Sequence, residues 1–110
     1  MAPRYECRLT IIGPAKKVLS FDRRSKWRVR LGAKHIEMYQ HSPGRMVWWF
    51  ETSSDPTVAL RSLARGGVTL LLFYEEEELQ ECGLAKAVKQ RLDLCHFEYC
   101  ANRRSRKRPR

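Results

Sequence analysis

Hydrophobic and polar residues alternate cleanly from Tyr5 to Ile12. Tyr5, Cys7, Leu9 and Ile11 fall on one side of an extended chain and Glu6, Arg8, Thr10 and Ile12 on the other, which predicts a half-buried strand. Gly13-Pro14 breaks the run and opens a helix with Val18 and Phe21 facing inward and Leu19 beside them. Lys16, Lys17, Arg23 and Arg24 then lie on or next to its exposed surface. Residues 26–31 alternate again, with Lys26, Arg28 and Arg30 on one face and Trp27, Val29 and Leu31 on the other, so a second strand is expected. Gly32 marks a turn, residues 35–39 continue as strand or loop, and Ser42-Pro43-Gly44 turns the chain back. Arg45 to Thr52 predicts a further strand, with Met46, Trp48 and Phe50 opposed to Val47, Trp49 and Glu51.

The next stretch predicts a strand–helix–strand unit. Asp55 or Ser54 can cap a helix, and Pro56 falls in its first turn, where a missing N–H costs nothing. Val58, Ala59, Leu60, Leu63 and Ala64 recur at helical spacing, and Gly66-Gly67 supplies a left-handed exit. Residues 68–74 follow as a short apolar run rich in β-formers. Residues 84–92 have helical features at Leu84, Ala87, Val88 and Leu92, and residues 94–101 alternate like a strand; a hairpin across this region is the alternative reading. The order strand, helix, strand, strand, helix, strand predicts an α+β fold. The expected architecture is a ferredoxin-like sandwich, an antiparallel sheet with two helices on one face.

At 110 residues the chain is long enough for one domain and too short for two. A single domain over residues 1–102 is expected, followed by a basic tail over 103–110 that has nothing apolar to bury. No apolar run approaches the roughly 20 residues that cross a bilayer, and no secretory signal opens the chain. The expectation is therefore a soluble intracellular protein without a membrane partner. Cys7, Cys82, Cys95 and Cys100 are then expected as free thiols rather than disulfides.

Charge changes the picture most. The formal net charge is +10, but residues 1–45 carry 11 Lys/Arg against 3 Asp/Glu, residues 46–102 carry 5 against 9, and the tail adds 6 cations and no acid. A dipolar body with a basic tail points to an oriented encounter with a polyanion or an acidic protein surface. The residues expected to make it are Arg23, Arg24, Lys26, Arg28, Arg30 and Lys34, with Trp48 or Trp49 to stack a base. Arg103, Arg104, Arg106, Lys107 and Arg108 extend the set into the tail. A solvated outer face over a buried Trp27, and tryptophans covered by the C-terminal segment, are the plainer alternatives.

Nothing in the sequence names a reaction. His35, His41 and His96 stand in no nucleophile spacing, and the glycines build neither a phosphate loop nor a dinucleotide fingerprint. Cys82, Cys95, His96 and Cys100 lack paired Cys-x-x-Cys units, so no zinc site and no cofactor is expected. Glu75-Glu76-Glu77-Glu78 reads as a solvated acidic turn rather than a cation site. The chain is read as non-enzymatic.

The run Arg8-Leu9-Thr10-Ile11-Ile12-Gly13-Pro14, then Phe50-Glu51-Thr52, Pro56, Leu60, Leu63 and Tyr74-Glu75, resembles the YubB-type ferredoxin-like domains of bacterial plasmids and phages. The likeness covers about two-thirds of the chain, and its motifs are mostly structural. That family typically has Trp where this chain has Ser54, Asn where Cys7 stands, and glycines where the glutamates run. No functional residues are carried over. The resemblance implies a mobile-element origin more than an activity. Two functions follow as expectations: an accessory protein binding nucleic acid or a nucleoprotein complex, or an anti-CRISPR-like inhibitor that binds a host defence complex.

Overall fold

The computed structural model describes residues 4–64, 67–76, 78, 81–89 and 91–97, with only the backbone for 95–97. Six strands form one sheet: β1 (Tyr5–Ile12), β2 (Lys34–Ser42), β3 (Arg45–Thr52), β4 (Thr69–Glu76), β5 (Glu81–Val88) and β6 (Arg91–Phe97). Their order is β2-β3-β1-β4-β5-β6, and every neighbouring pair is antiparallel. Helix α1 (Ala15–Arg24) and the single turn α2 (Trp27–Arg30) connect β1 to β2, and a second single turn, α3 (Leu60–Leu63), connects β3 to β4.

β1 sits between β3 and β4 because its inward side is wholly apolar. Cys7, Leu9 and Ile11 are fully buried. They pair with Phe50, Trp48 and Met46 on one side and with Tyr74, Leu72 and Leu70 on the other. Ala85 and Ala87 of β5 continue the face opposite Leu72 and Leu70. Val18 and Phe21 of α1, Trp27 and Leu31 around α2, and Leu60 and Leu63 of α3 pack on it as one core. Each large side chain buried there contributes about 1.5–3 kcal/mol by leaving water.

This mostly-sheet architecture replaces the expected ferredoxin-like sandwich with two helices. The stretch 26–31 is not a strand: Trp27 and Leu31 are buried at 0% and 2% exposure, while Val29, which a strand would place beside them, is 80% exposed. Burial four residues apart is the spacing of a helical turn. The helix expected from Pro56 shrinks to α3. Asp55 accepts hydrogen bonds from the Thr57 N–H at 2.9 Å and its hydroxyl at 2.7 Å, and this local turn diverts the chain before helix can start. The helical features of residues 84–92 are overturned as well, since β5 and β6 form the hairpin that was the alternative.

The acidic stretch is likewise not a solvated turn throughout. Glu75 and Glu76 close β4, Glu76 is 1% exposed, and its carboxylate accepts the Glu78 N–H at 2.9 Å. Among the described residues no helix is long and apolar enough to cross a membrane. The tail lies outside the described residues.

Candidate nucleic-acid interface

Successive residues of a strand point to opposite faces, so Glu6, Arg8, Thr10 and Ile12 share the side of the sheet away from the core. Every buried helix residue packs in the cluster with Cys7, Leu9 and Ile11, and no strand residue of Arg8's face belongs to it. Among the described residues, that second face carries no helix.

Cross-strand register builds a row on this face. Arg8 stands opposite Trp49 of β3 and opposite Phe73 of β4, and Phe73 stands opposite Leu84 of β5. The Arg8 guanidinium carbon lies 5.6 Å from the centroid of the Phe73 ring. Tyr39, from β2, meets Trp49 edge-on with centroids 6.0 Å apart. Tyr39 is 66% exposed, Trp49 38% and Leu84 48%, so the row presents aromatic and apolar surface to solvent. At strand spacings of about 4.8 Å it spans roughly 15–20 Å across the sheet.

Charge is graded on either side of this row. Towards one end of the strands, Thr10 lies between Val47 and Leu71, Lys86 stands opposite Leu71, and Arg45 stands opposite Ile12. A shallow depression of about 200 Å³ here takes in Arg8, Tyr39, Arg45 and Phe73. Towards the other end, Glu6 stands opposite both Glu51 and Glu75, and Arg4 pairs with Glu51 at 3.3 Å. Like charges in register repel, so an anion is favoured at the Arg8 and Arg45 end over the glutamate end, while Lys86 stands opposite Asp93 of β6.

Of the residues expected from sequence, only Trp49 contributes to this row. Trp48 points to the core side, and its buried indole N–H has no hydrogen-bond partner among the described residues. The Arg28 guanidinium lies 4.5 Å from the Trp27 ring and 4.6 Å from the Trp48 ring and pairs with Asp22 at 3.0 Å, so it is bound into the fold. Arg24 and Arg30 meet elsewhere, in a cleft between α1 and α3. Arg23 is exposed on α1, Lys26 precedes α2 in a left-handed conformation (φ 59°), and Lys34 opens β2 opposite Glu51. Arg103, Arg104, Arg106, Lys107 and Arg108 lie outside the described residues.

Arg8, Tyr39, Arg45 and Phe73 were not anticipated. The β1 alternation did place Arg8 outward, but Phe73 stood inside an unbroken apolar run that gives no face. Among the described residues two thiols are free and buried, Cys7 and Cys82, and burial pushes the Cys7 thiol well above its ordinary value, which disfavours its thiolate. Among the described residues no group of His, Cys, Asp or Glu is arranged to hold a metal ion. What the open face offers is π surface beside fixed cations. No family model, curated protein or solved structure matches this chain, so the resemblance to the YubB-type domains rests on its own residues and the site is read from its geometry alone.

Proposed function

We propose that this chain binds single-stranded nucleic acid on the face of its sheet opposite the helices, without catalysing a reaction. The observation that carries the reading is Arg8 held in register between Trp49 and Phe73. Unpaired bases expose π-faces that stack on aromatic rings, and an open antiparallel sheet with outward aromatics can hold two or three of them. Arg8, Arg45 and Lys86 lie where the backbone of such a strand would pass, and Arg8 and Arg45 belong to the basic N-terminal half. The net charge of +10 favours encounter with any polyanion, and the tail adds sequence-independent attraction. A duplex hides its base faces and would use only the charge. The setting of this reading is an accessory protein of a mobile element in the cytoplasm of a bacterial host.

Fluorescence anisotropy with labelled single-stranded and duplex DNA and RNA across a salt series tests it. Single strands should bind more tightly than duplexes, and the Arg8→Ala/Trp49→Ala double variant should lose about tenfold or more in affinity. Equal binding of both forms, or an unaffected double variant, would overturn the proposal.

A second reading has its own observation, the Glu51–Glu6–Glu75 row beside the aromatic row. Acids next to exposed aromatics suit a protein surface with basic side chains, as in a host defence nucleoprotein complex that this chain would inhibit by docking. That reading requires stable co-purification with a defence effector and no affinity for free strands.

A further inference from the structure

On the opposite side of the sheet from the aromatic row, α1, α2 and α3 border an open cleft of about 530 Å³. Lys17, Ser20, Phe21 and Arg24 enter it from α1 at successive positions of one helical stripe, and Arg30, Ser25, Ser62 and Leu63 complete it. We propose that this cleft binds a phosphate monoester carried by a small molecule with an apolar body, a nucleoside monophosphate being the simplest example.

The composition of the lining is the argument. Three cations, Lys17, Arg24 and Arg30, and the hydroxyls of Ser20 and Ser25 line the cleft beside Ser62, and no carboxylate lines it among the described residues. The acid of α1, Asp22, pairs with Arg28 at 3.0 Å. Ser62 accepts a hydrogen bond from the Arg30 guanidinium and donates to the Ala59 carbonyl at 3.0 Å, so Arg30 is aimed rather than adrift. A phosphate monoester carries close to two negative charges at neutral pH and three strong acceptor oxygens, which matches guanidinium and hydroxyl donors arranged around a hollow. Phe21 and Leu63, mostly buried, give the hollow an apolar floor that inorganic phosphate would leave uncovered. The volume lies in the range of small-molecule sites. The last carbonyls of α1 oppose an anion here, and the three side chains must outweigh them.

Gly67 has φ +81°, and a Cβ there would lie 2.9 Å from Cδ and 3.0 Å from Nζ of Lys17. The Lys17 side chain therefore lies beside the segment leading into β4.

Isothermal titration with adenosine monophosphate, adenosine and inorganic phosphate tests the proposal, with the intact protein and the Lys17→Ala/Arg24→Ala double variant. Both replaced side chains are exposed on α1, so the variant keeps the fold, which circular dichroism checks. Adenosine monophosphate should bind, adenosine should not, and the double variant should weaken binding about tenfold or more. Arg8→Ala/Trp49→Ala, on the other face, should leave this affinity unchanged, so the cleft and the sheet face succeed or fail separately. Equal binding of adenosine and its monophosphate, or no binding of either at millimolar concentration, overturns the proposal. So does an oligonucleotide with a terminal phosphate that needs Lys17 and Arg24 while the mononucleotide stays silent, since that assigns the cleft to a strand end.

Discussion

The carboxylate of Asp22, in the last turn of α1, accepts the indole N–H of Trp27 at 3.0 Å. The same oxygen accepts a hydrogen bond from Arg28 at 3.0 Å, and Arg28 also donates to the Asp22 carbonyl at 3.2 Å. One acid thus turns the chain from α1 into α2 and holds Trp27 at full burial. Replacing it leaves the indole donor without its acceptor and the guanidinium with only the backbone carbonyl at this position. Asp22→Ala is expected to lower stability by about 1–3 kcal/mol, read from the denaturant midpoint at constant slope.

Arg28 itself was expected on a phosphate-binding face. Held between the Trp27 and Trp48 rings, it stabilises the fold instead. Arg28→Ala should cost about 0.5–2 kcal/mol, the range of a partly desolvated cation–π contact, with little added by a pair that solvent still reaches. Single-strand affinity measured well below the unfolding transition should stay unchanged. A loss of affinity in a fully folded Arg28→Ala protein would return this residue to the binding surface.

The difference between the two readings of Arg28 shows where the sequence was legible. β1, β3 and α1 could be read because each repeats its period over at least eight residues with apolar inward positions. Residues 26–31 are too short for that: Trp27 and Leu31 satisfy both a period of two and a spacing of four, and only packing decides. In β5 the inward residues at the centre are Ala85 and Ala87, fully buried, whereas the larger Leu84 is half exposed. Size therefore ran against the face, and the strand resembled a helix. Of the open-face row only Trp49 and the outward side of Arg8 were legible, since the row as a whole depends on register between β3, β1 and β4, which no local pattern carries.

On that row, the two halves of the proposed binding mode separate experimentally. Trp49→Ala removes a stacking platform and should weaken single-strand binding by about 1–3 kcal/mol with the salt dependence kept. Arg8→Ala removes a cation and should lower the steepness of the salt dependence by about one phosphate's worth. Neither should alter stability much, because both side chains lie outside the core. Equal salt slopes for the two variants would mean that Arg8 does not neutralise a phosphate.

Gly44, in the β2–β3 turn, combines two constraints. Its φ is +78°, and a Cβ there would lie 2.8 Å from the carbonyl oxygen of Gly13. The two glycines are joined by a hydrogen bond from the Gly13 N–H to the Gly44 carbonyl at 3.0 Å, which ties the hairpin to the start of α1. Gly44→Ala should therefore destabilise by about 1–3 kcal/mol, from left-handed strain plus a backbone clash that no side-chain rotation relieves. A thermal midpoint equal to that of the unchanged protein would show that the turn can move away.

The alkaline limb of stability follows from two phenols. Burial, with Asp55 next in effect, raises Tyr74 from its usual 10 to about 12, and the same two causes lead in raising Tyr5. The rings pack edge-on with centroids 6.3 Å apart, at the end of the sheet where Glu76 and Glu81 also pair. The folded protein therefore holds both phenols protonated at a pH where the unfolded chain has begun to ionise them. The Tyr74 contribution is fully present below about pH 10 and is lost as the pH rises towards about 12, with Tyr5 adding in the same direction, because unfolding then releases protons. Denaturant titrations from about pH 8 to about pH 12 should show this fall, and Tyr74→Phe should show a shallower one. The variant's deficit at neutral pH, where it lacks the phenol's polar contacts, should narrow as the pH climbs. Parallel curves for the two proteins would mean that Tyr74 ionises equally in both states, and the loss would then have to come from Tyr5 or from lysines.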